Sequence, residues 1–267
     1  MSHPFTPFVL RFDSLPSTNT EAARQASLGA REGLCVVARE QTAGRGRRER
    51  EWVSPKDSGL YLSIVLRPRA DAREWPLITL AAAVAVRDAL EEACALRADI
   101  KWPNDLLARG RKLCGILAET VEGAHGRAVV LGVGVNLTNR AFPPEILAFA
   151  TSVEEETGRA PDPAQLLASV THQLARRYEE LHAGGGAALI LREWEARSSY
   201  ARGRRVRVAL AEETFEGTTR GLEPDGALRV ETGEGQMRIV RAGDVTALRE
   251  VTSEETSFGN PRRGLRQ

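Results

Sequence analysis

The chain has almost no lysine. Of 37 basic residues only Lys56, Lys101 and Lys112 are lysines, and the rest are arginines. A coding bias towards Arg, Ala and Gly would produce such a skew. Even so, Lys101 and Lys112 stand close together in sequence and invite a chemical reason. Cysteine is as sparse: Cys35, Cys94 and Cys114 form an odd set without CxxC spacing. That excludes a disulfide scaffold and points to reduced thiols in a cytoplasmic protein. The histidines (His3, His125, His172 and His182) are scattered, form no metal-ligand pattern, and leave any metal site unassigned. A dominant charge is missing too. The net charge of +1 removes any global electrostatic argument for nucleic acid or a membrane surface. No apolar stretch reaches the roughly 18 residues that a spanning helix needs. The longest, LITLAAAVAV at 77–86, reads as a buried helix. The N-terminus lacks a basic segment followed by an apolar core, so no signal peptide is expected.

What is present is ordinary in bulk and unusual in detail. With 267 residues, 42% hydrophobic and 27% charged, the chain suits one large soluble domain, or one plus a small one. Residues 41–52 read QTAGRGRREREW, with Arg45, Arg47, Arg48 and Arg50 between two glycines and a tryptophan. Gly44 and Gly46 open backbone conformations closed to other residues. Arginine brings a fixed fork of donors that fits carboxylates and phosphates. Like charges so close repel one another, which predicts a loop disordered when empty and ordered around an anion. A solvated charged surface loop is the plainer alternative.

Along the chain, 9–15 and 33–40 read as strands on either side of a helix at about 19–29. Thr18 and Glu21 have capping-box spacing at its start, and Gly29 is a stop. GLYLSIVL at 59–66 alternates like a strand, and 74–95 carries apolar residues at helical spacing. Segments 99–102, 112–121 and 128–137 read as further strands of the same sheet, and 161–183 and 187–198 as helices. From residue 201 short alternating runs separated by turns such as Pro224-Asp225-Gly226 predict a small antiparallel barrel. The division expected is a main domain over 1–200, a small one over 201–251, and a disordered tail over 252–267.

Three more motifs carry chemistry. In KWPNDLLARGRKLCGILAE (101–119), the arms of a hairpin bring Lys101 and Lys112 towards one site, beside a polar turn of Asn104 and Asp105. Alternatively, Lys112 is an edge charge and Asp105 a cap. GVGVN (132–136) lacks the third glycine of a dinucleotide fingerprint. Its glycines allow close packing or let a flat ring lie on the strand. Ser17-Thr18-Asn19 stands at a helix start, where it can cap or hydrogen-bond a small polar head group.

Taken in order, S-T-N, Q-x-x-G-R-G-R, K-W-P-N-D, K-x-x-G-I-L and G-x-G-x-N resemble the biotin–protein ligases, over roughly residues 10 to 250. The resemblance implies an α+β fold, a mixed sheet packed by helices as in class II synthetases, with an SH3-like C-terminal barrel. It implies ATP-dependent activation of biotin to biotinyl-5′-AMP, then transfer to a lysine of a biotin carboxyl carrier domain, with Mg²⁺ accompanying ATP. Biotin contacts would fall to Ser17, Thr18, Asn19, Gln41, Gly44, Arg45, Gly46, Arg47, Lys112 and Gly115. Adenylate contacts would fall to Arg45, Arg47, Arg48, Trp52, Lys101, Asn104, Asp105, Lys112 and Asn136. Lys112, Arg45 and Arg47 would be the catalytic cations. The family usually has glycine where this chain has Glu49. Some members carry an N-terminal DNA-binding domain. Only about eight residues precede the first strand here, so no operator binding is expected, and an electrophoretic shift at low salt checks this. Oligomeric state stays open, an edge-to-edge homodimer being one outcome. A lipoate ligase and a non-catalytic biotin-binding protein are the competing readings.

Overall fold

Alternating and β-branched runs build a seven-stranded mixed sheet in the order β1-β2-β3-β7-β6-β5-β4. The structure, a computed structural model, describes residues 6–69 and 71–248, so the expected tail at 252–267 lies outside the described residues. β1 (Phe8–Phe12) and β2 (Leu34–Ala38) run parallel, joined by α1 (Thr18–Ser27). All other neighbours are antiparallel: β3 (Gly59–Leu66), β4 (Asp99–Lys101), β5 (Asp105–Ala108), β6 (Arg111–Gly123) and β7 (Gly126–Asn136).

The sheet is covered on both faces, which is why its middle strands are apolar at successive positions. On β3, Leu60, Leu62, Ile64 and Leu66 enter the main core with α2 (Pro76–Cys94), α5 (Pro163–His182) and α6 (Gly186–Glu195). The residues between them face α1, where Val65 joins Ala22, Ala26 and Val130 in a second, smaller core. Among the described residues no helix is long and apolar enough to cross a membrane.

Three elements go beyond the sequence reading. β5 is a four-residue strand inside what looked like a polar turn; its state comes from pairing with β4 and β6, not from its own composition. The other two are α3 (Pro144–Leu147) and α4 (Val153–Thr157). Both are too short to show periodicity. α4 is defined by its ends, with Ser152 accepting from Glu155 N and Gly158 at φ +70°.

The C-terminal unit is a five-stranded antiparallel sheet of β8 (Arg202–Ala209), β9 (Thr214–Leu222), β10 (Leu228–Thr232), β11 (Met237–Val240) and β12 (Asp244–Ala247). Its order is β11-β10-β9-β8-β12. So small a sheet has little core of its own and leans on the main body. Val206, Val208, Leu228 and Val230 share one apolar cluster with α2. Buried Trp102 donates its indole N–H to the Gly226 carbonyl at 3.0 Å, across the turn that the Pro-Asp-Gly triplet forms. This docking brings β12 against the arginine loop.

Candidate active site

The polar end of the site grows from the start of α1. The sequence reading placed the cap at Thr18; the structure moves it to Ser17, whose extended backbone lets its hydroxyl accept from Thr20 N at 3.4 Å. Glu21, the other half of the supposed capping box, pairs with Arg24 and Gln25 instead. Thr18 is thereby released for the site. Its N–H and hydroxyl both donate to Gln41 Oε1, at 2.8 and 3.0 Å, and Gln41 Nε2 donates to Ser54 Oγ at 2.8 Å. Asn19 Nδ2 donates to Glu119 Oε2 at 2.8 Å. Beneath them lies Ser63, fully buried on β3, with Oγ 2.8 Å from Thr18 Oγ1 and 2.6 Å from Asn19 Oδ1. Its single proton serves one of the two. Ser63 was not foreseen; the available signal was a single serine in the apolar and aromatic run GLYLSIVL.

Beside this cluster the two central strands lose their side chains. Gly115 of β6 and Gly134 of β7 stand opposite each other in register. A Cβ on Gly115 would lie 2.9 Å from the Trp52 ring, and one on Gly134 would lie 2.6 Å from Trp52 Nε1. The flat ring that glycine admits to the strand is therefore the chain's own Trp52. Gly132 plays the same part for Asn19, whose Oδ1 would be 2.2 Å from an added Cβ. Trp52 Nε1 is buried with no hydrogen-bond partner among the described residues, and Lys112 Nζ sits 5.3 Å from the centre of its ring.

The cationic end is assembled from three segments. Lys112 Nζ is 2.7 Å from Asp105 Oδ1, across the β5–β6 pair. Burial pushes the Lys101 ammonium below lysine's ordinary 10.5, with Asp105 pulling the other way and Lys112 adding to the fall. The two lysines do come near one carboxylate, but not as arms of one hairpin: β5, which carries Asp105, lies between β4 and β6 and pairs with both. Arg47 Nη1 donates to Asn104 Oδ1 at 3.1 Å and to the Gly243 carbonyl at 3.4 Å; burial lowers its pKa. Asn104 Nδ2 is committed to the Ile116 carbonyl at 2.8 Å. Asn136 Nδ2 donates to the Thr151 carbonyl at 2.9 Å and to that of Lys112 at 3.3 Å.

The expected repulsion within the arginine loop needs correcting. Arg45 pairs with Glu119, Arg50 pairs with Asp244, and Arg48 lies 3.5 Å from the same Asp244 carboxylate. Two acids distant in sequence offset part of the charge, so the loop does not depend on an anion alone for neutralisation.

These residues line one cavity of about 560 Å³, within the range of ligand sites. It brings together every residue expected at the site except two. Gly44 lies behind the wall, close enough to the Trp52 carbonyl that a Cβ would come within 2.2 Å, and Arg48 is turned to Asp244. The sequence reading missed Asp244 and Thr246 of β12, and Phe142, Ile146 and Phe149 near α3. β12 carries no local signal for this, since only docking of the small sheet brings it here. Among the described residues no group of three His, Cys, Asp or Glu could hold a metal ion.

Arg48 and Glu49 both adopt left-handed backbone, at φ +54° and +60°. That conformation costs a residue with a Cβ about 1–2 kcal/mol.

Comparison with known proteins fits this geometry. A profile described as "Biotin/lipoate A/B protein ligase family" matches residues 11–136. A second, "Biotin protein ligase C terminal domain", matches residues 202–246. The chain is 38% identical over 235 residues to the bifunctional ligase/repressor BirA of Bacillus subtilis, spanning 86% of this chain and 71% of that protein. The chain belongs to the biotin/lipoate A/B protein ligase family. This ligase is also 38% identical over 236 residues to the biotin--[acetyl-CoA-carboxylase] ligase of Paracoccus denitrificans, spanning 86% of this chain and 96% of that one. The structure of the Aquifex aeolicus biotin protein ligase in complex with biotin and ATP matches it with a TM-score of 0.79 at 27% identity. That match covers 92% of this chain and all of the other.

Proposed function

We propose that this enzyme activates biotin with ATP and transfers it to a lysine of a carboxylase's biotin carboxyl carrier domain. The observation that carries the reading is a single cavity lined both by a neutral hydrogen-bonding cluster and by Arg45, Arg47, Lys101 and Lys112, with Glu119 joining Asn19 of the cluster to Arg45. The cluster of Ser17, Thr18, Asn19 and Gln41 suits a ureido ring, which needs directed donors and acceptors and carries no charge. The cations suit a reaction between two anions. A biotin carboxylate oxygen attacks the α-phosphorus and pyrophosphate leaves with the bridging oxygen. Arg45, Arg47 and Lys112 offset the charge that gathers on phosphorus. In the second step the carrier's lysine nitrogen attacks the acyl carbon, AMP leaves, and the amine proton is lost. The arginine loop over the cavity excludes water from the mixed anhydride between the steps.

Trp52 and Asn136 would bound the adenine side, with Asn104 and Asp105 at its polar edge. Three acids at or beside the cavity are each held by a cation, Asp105 by Lys112, Glu119 by Arg45 and Asp244 by Arg50. They do not form a cage for Mg²⁺, which is best written as part of the substrate MgATP; a phosphate-borne Mg²⁺ keeps waters and takes few protein ligands. The free thiols of Cys35, Cys94 and Cys114 suit a cytoplasmic setting. The matched segments suit a catalytic domain over about 1–200 and a smaller one over about 201–251. Incubation with biotin, α-labelled ATP and Mg²⁺ tests the reading. Labelled biotinyl-AMP that excess lipoate does not suppress supports it, and no adenylate refutes it.

Two further results are expected. Glu49→Gly removes a left-handed strain and a negative charge beside the phosphate-binding arginines. It should raise Tm and lower KM for ATP; an unchanged or higher KM counts against the assignment. Lys101 gives a pH dependence. Between its lowered folded-state value and 10.5 the unfolded chain binds more protons, so stability contributed by this group rises with pH. Adenylate formation loses a cation in the same window and falls. Activity should therefore decline on the alkaline side while this contribution to Tm does not, and Lys101→Arg should move the activity limb to higher pH. Paired pH–rate profiles and thermal melts check both signs.

A further inference from the structure

Glu156 lies outside the substrate cavity, yet its side chain is only 2% exposed and its carboxylate gathers three donors. Thr151 Oγ1 donates to it at 2.7 Å, Arg111 Nη2 at 2.9 Å, and Arg109 Nε lies at 3.2 Å. These come from two places. Arg109 and Arg111 belong to the β5–β6 turn, where Arg109 and Gly110 both have positive φ, +48° and +78°, as a two-residue hairpin of this hand requires. Thr151 precedes α4.

The two places meet at Lys112. Lys112 N donates to the Phe149 carbonyl at 2.8 Å, and Thr151 N donates to the Lys112 carbonyl at 2.9 Å. Segment 149–151 thus forms a one-residue bridge with the strand at the lysine itself. Phe149 is 60% exposed and adds little burial, while Ala150 and Thr151 are buried, so the carboxylate's contacts act together with packing here. Glu155 adds a second pair to Arg111 at 2.6 Å.

We propose that Glu156 is a positioning residue for Lys112. It locks the β5–β6 turn to segment 149–151, and so fixes both the backbone of Lys112 and the cavity wall of Ile146, Phe149 and Ala150. Removing the carboxylate frees the turn and the wall together. The ammonium then loses its set position between Asp105 and Trp52. The polar cluster around Thr18 and Gln41, built on α1, β3 and the loop after β2, is untouched. The kinetic part of this inference rests on the proposed ligase function; the placement of Lys112 does not.

The shortage of lysine supplies the test. Reductive ¹³C-methylation labels Lys56, Lys101, Lys112 and the N-terminus, a set small enough to assign by NMR, with exposed Lys56 as an internal reference. In Glu156→Gln the Lys112 resonance should move and that of Lys56 should not. In unmethylated enzyme, KM for ATP should rise and adenylate formation slow, each by about tenfold, as expected for a displaced catalytic group, while KM for biotin stays within about twofold. Thr151→Val and Arg109→Gln each remove one contact and keep the question open to test if Glu156→Gln does not fold. A shifted Lys112 resonance in either supports the proposal. An unmoved Lys112 resonance, or equal loss for biotin and ATP, overturns it. If wild-type enzyme makes no adenylate, the ligase reading falls, while the resonance still decides the role of Glu156.

Discussion

Lys112→Ala should slow formation of biotinyl-AMP by about 10²–10³-fold, the usual loss when one donor aimed at developing charge is removed. The ammonium is placed for this on both sides. Asp105 holds it at 2.7 Å from one direction and the Trp52 ring lies under it from another. Its backbone is pinned through both its N–H and its carbonyl. The variant should still fold, because Lys112 leaves the core intact and Asp105 is the only charged partner recorded for it among the described residues. Lys112→Arg should not restore the rate. A guanidinium presents a planar fork where a compact charge is needed. Single-turnover assays with labelled ATP, beside circular dichroism, separate lost chemistry from lost structure. A variant that makes adenylate at the wild-type rate shows that Lys112 has been misassigned and leaves Arg45 and Arg47 as the remaining candidates.

The second large effect is expected from one added methyl group, with no change of charge. Gly134→Ala places a methyl group 2.6 Å from Trp52 Nε1. The strand has no room to yield, since β7 lies between β3 and β6 and is paired to both along its length. Trp52 is anchored through its own N–H to the Gly44 carbonyl at 2.9 Å, so the indole must tilt into the cavity. That movement disturbs the floor of the site and the ring beneath Lys112 at once. kcat/KM for both substrates should fall by about 10²-fold, the scale set by small misplacements of reacting groups. Stability should fall by only about 1–3 kcal/mol, as for other overpacked sites. Gly123→Ala on β6 is the control: its Cβ would meet nothing closer than Ser27 Cα at 3.6 Å, an ordinary contact. Tryptophan fluorescence should report the tilt in Gly134→Ala and no change in the control. Wild-type kinetics in Gly134→Ala would mean that Trp52 does not shape the site.

Both predictions draw on motifs that were legible in the sequence and on contacts that were not. The arginine loop, the two lysines eleven positions apart and the Ser-Thr-Asn helix start could be read directly, because they depend on residue chemistry and local backbone. The central strands could be read as well, since a sheet covered on both faces demands apolar residues at successive positions. The cap moved by one residue because Ser17 and Thr18 are both good caps, and only the tertiary partners Gln41 and Ser63 decide which one is released.

Taken alone, the sequence determined the chemistry available here: a neutral polar cluster, a set of arginines, two lysines within one motif, and glycines that leave a strand bare. Tertiary structure decided the partners. It set Trp52 over the Gly115–Gly134 pair, Glu119 and Asp244 against the arginine loop, and Glu156 behind Lys112. The reason is physical. A helix start or a strand is coded within a few residues, whereas Arg50 and Asp244 are 194 positions apart and meet only because the small sheet docks on the main body. No local pattern records such a meeting, and it is these meetings that turn a collection of suitable residues into a site.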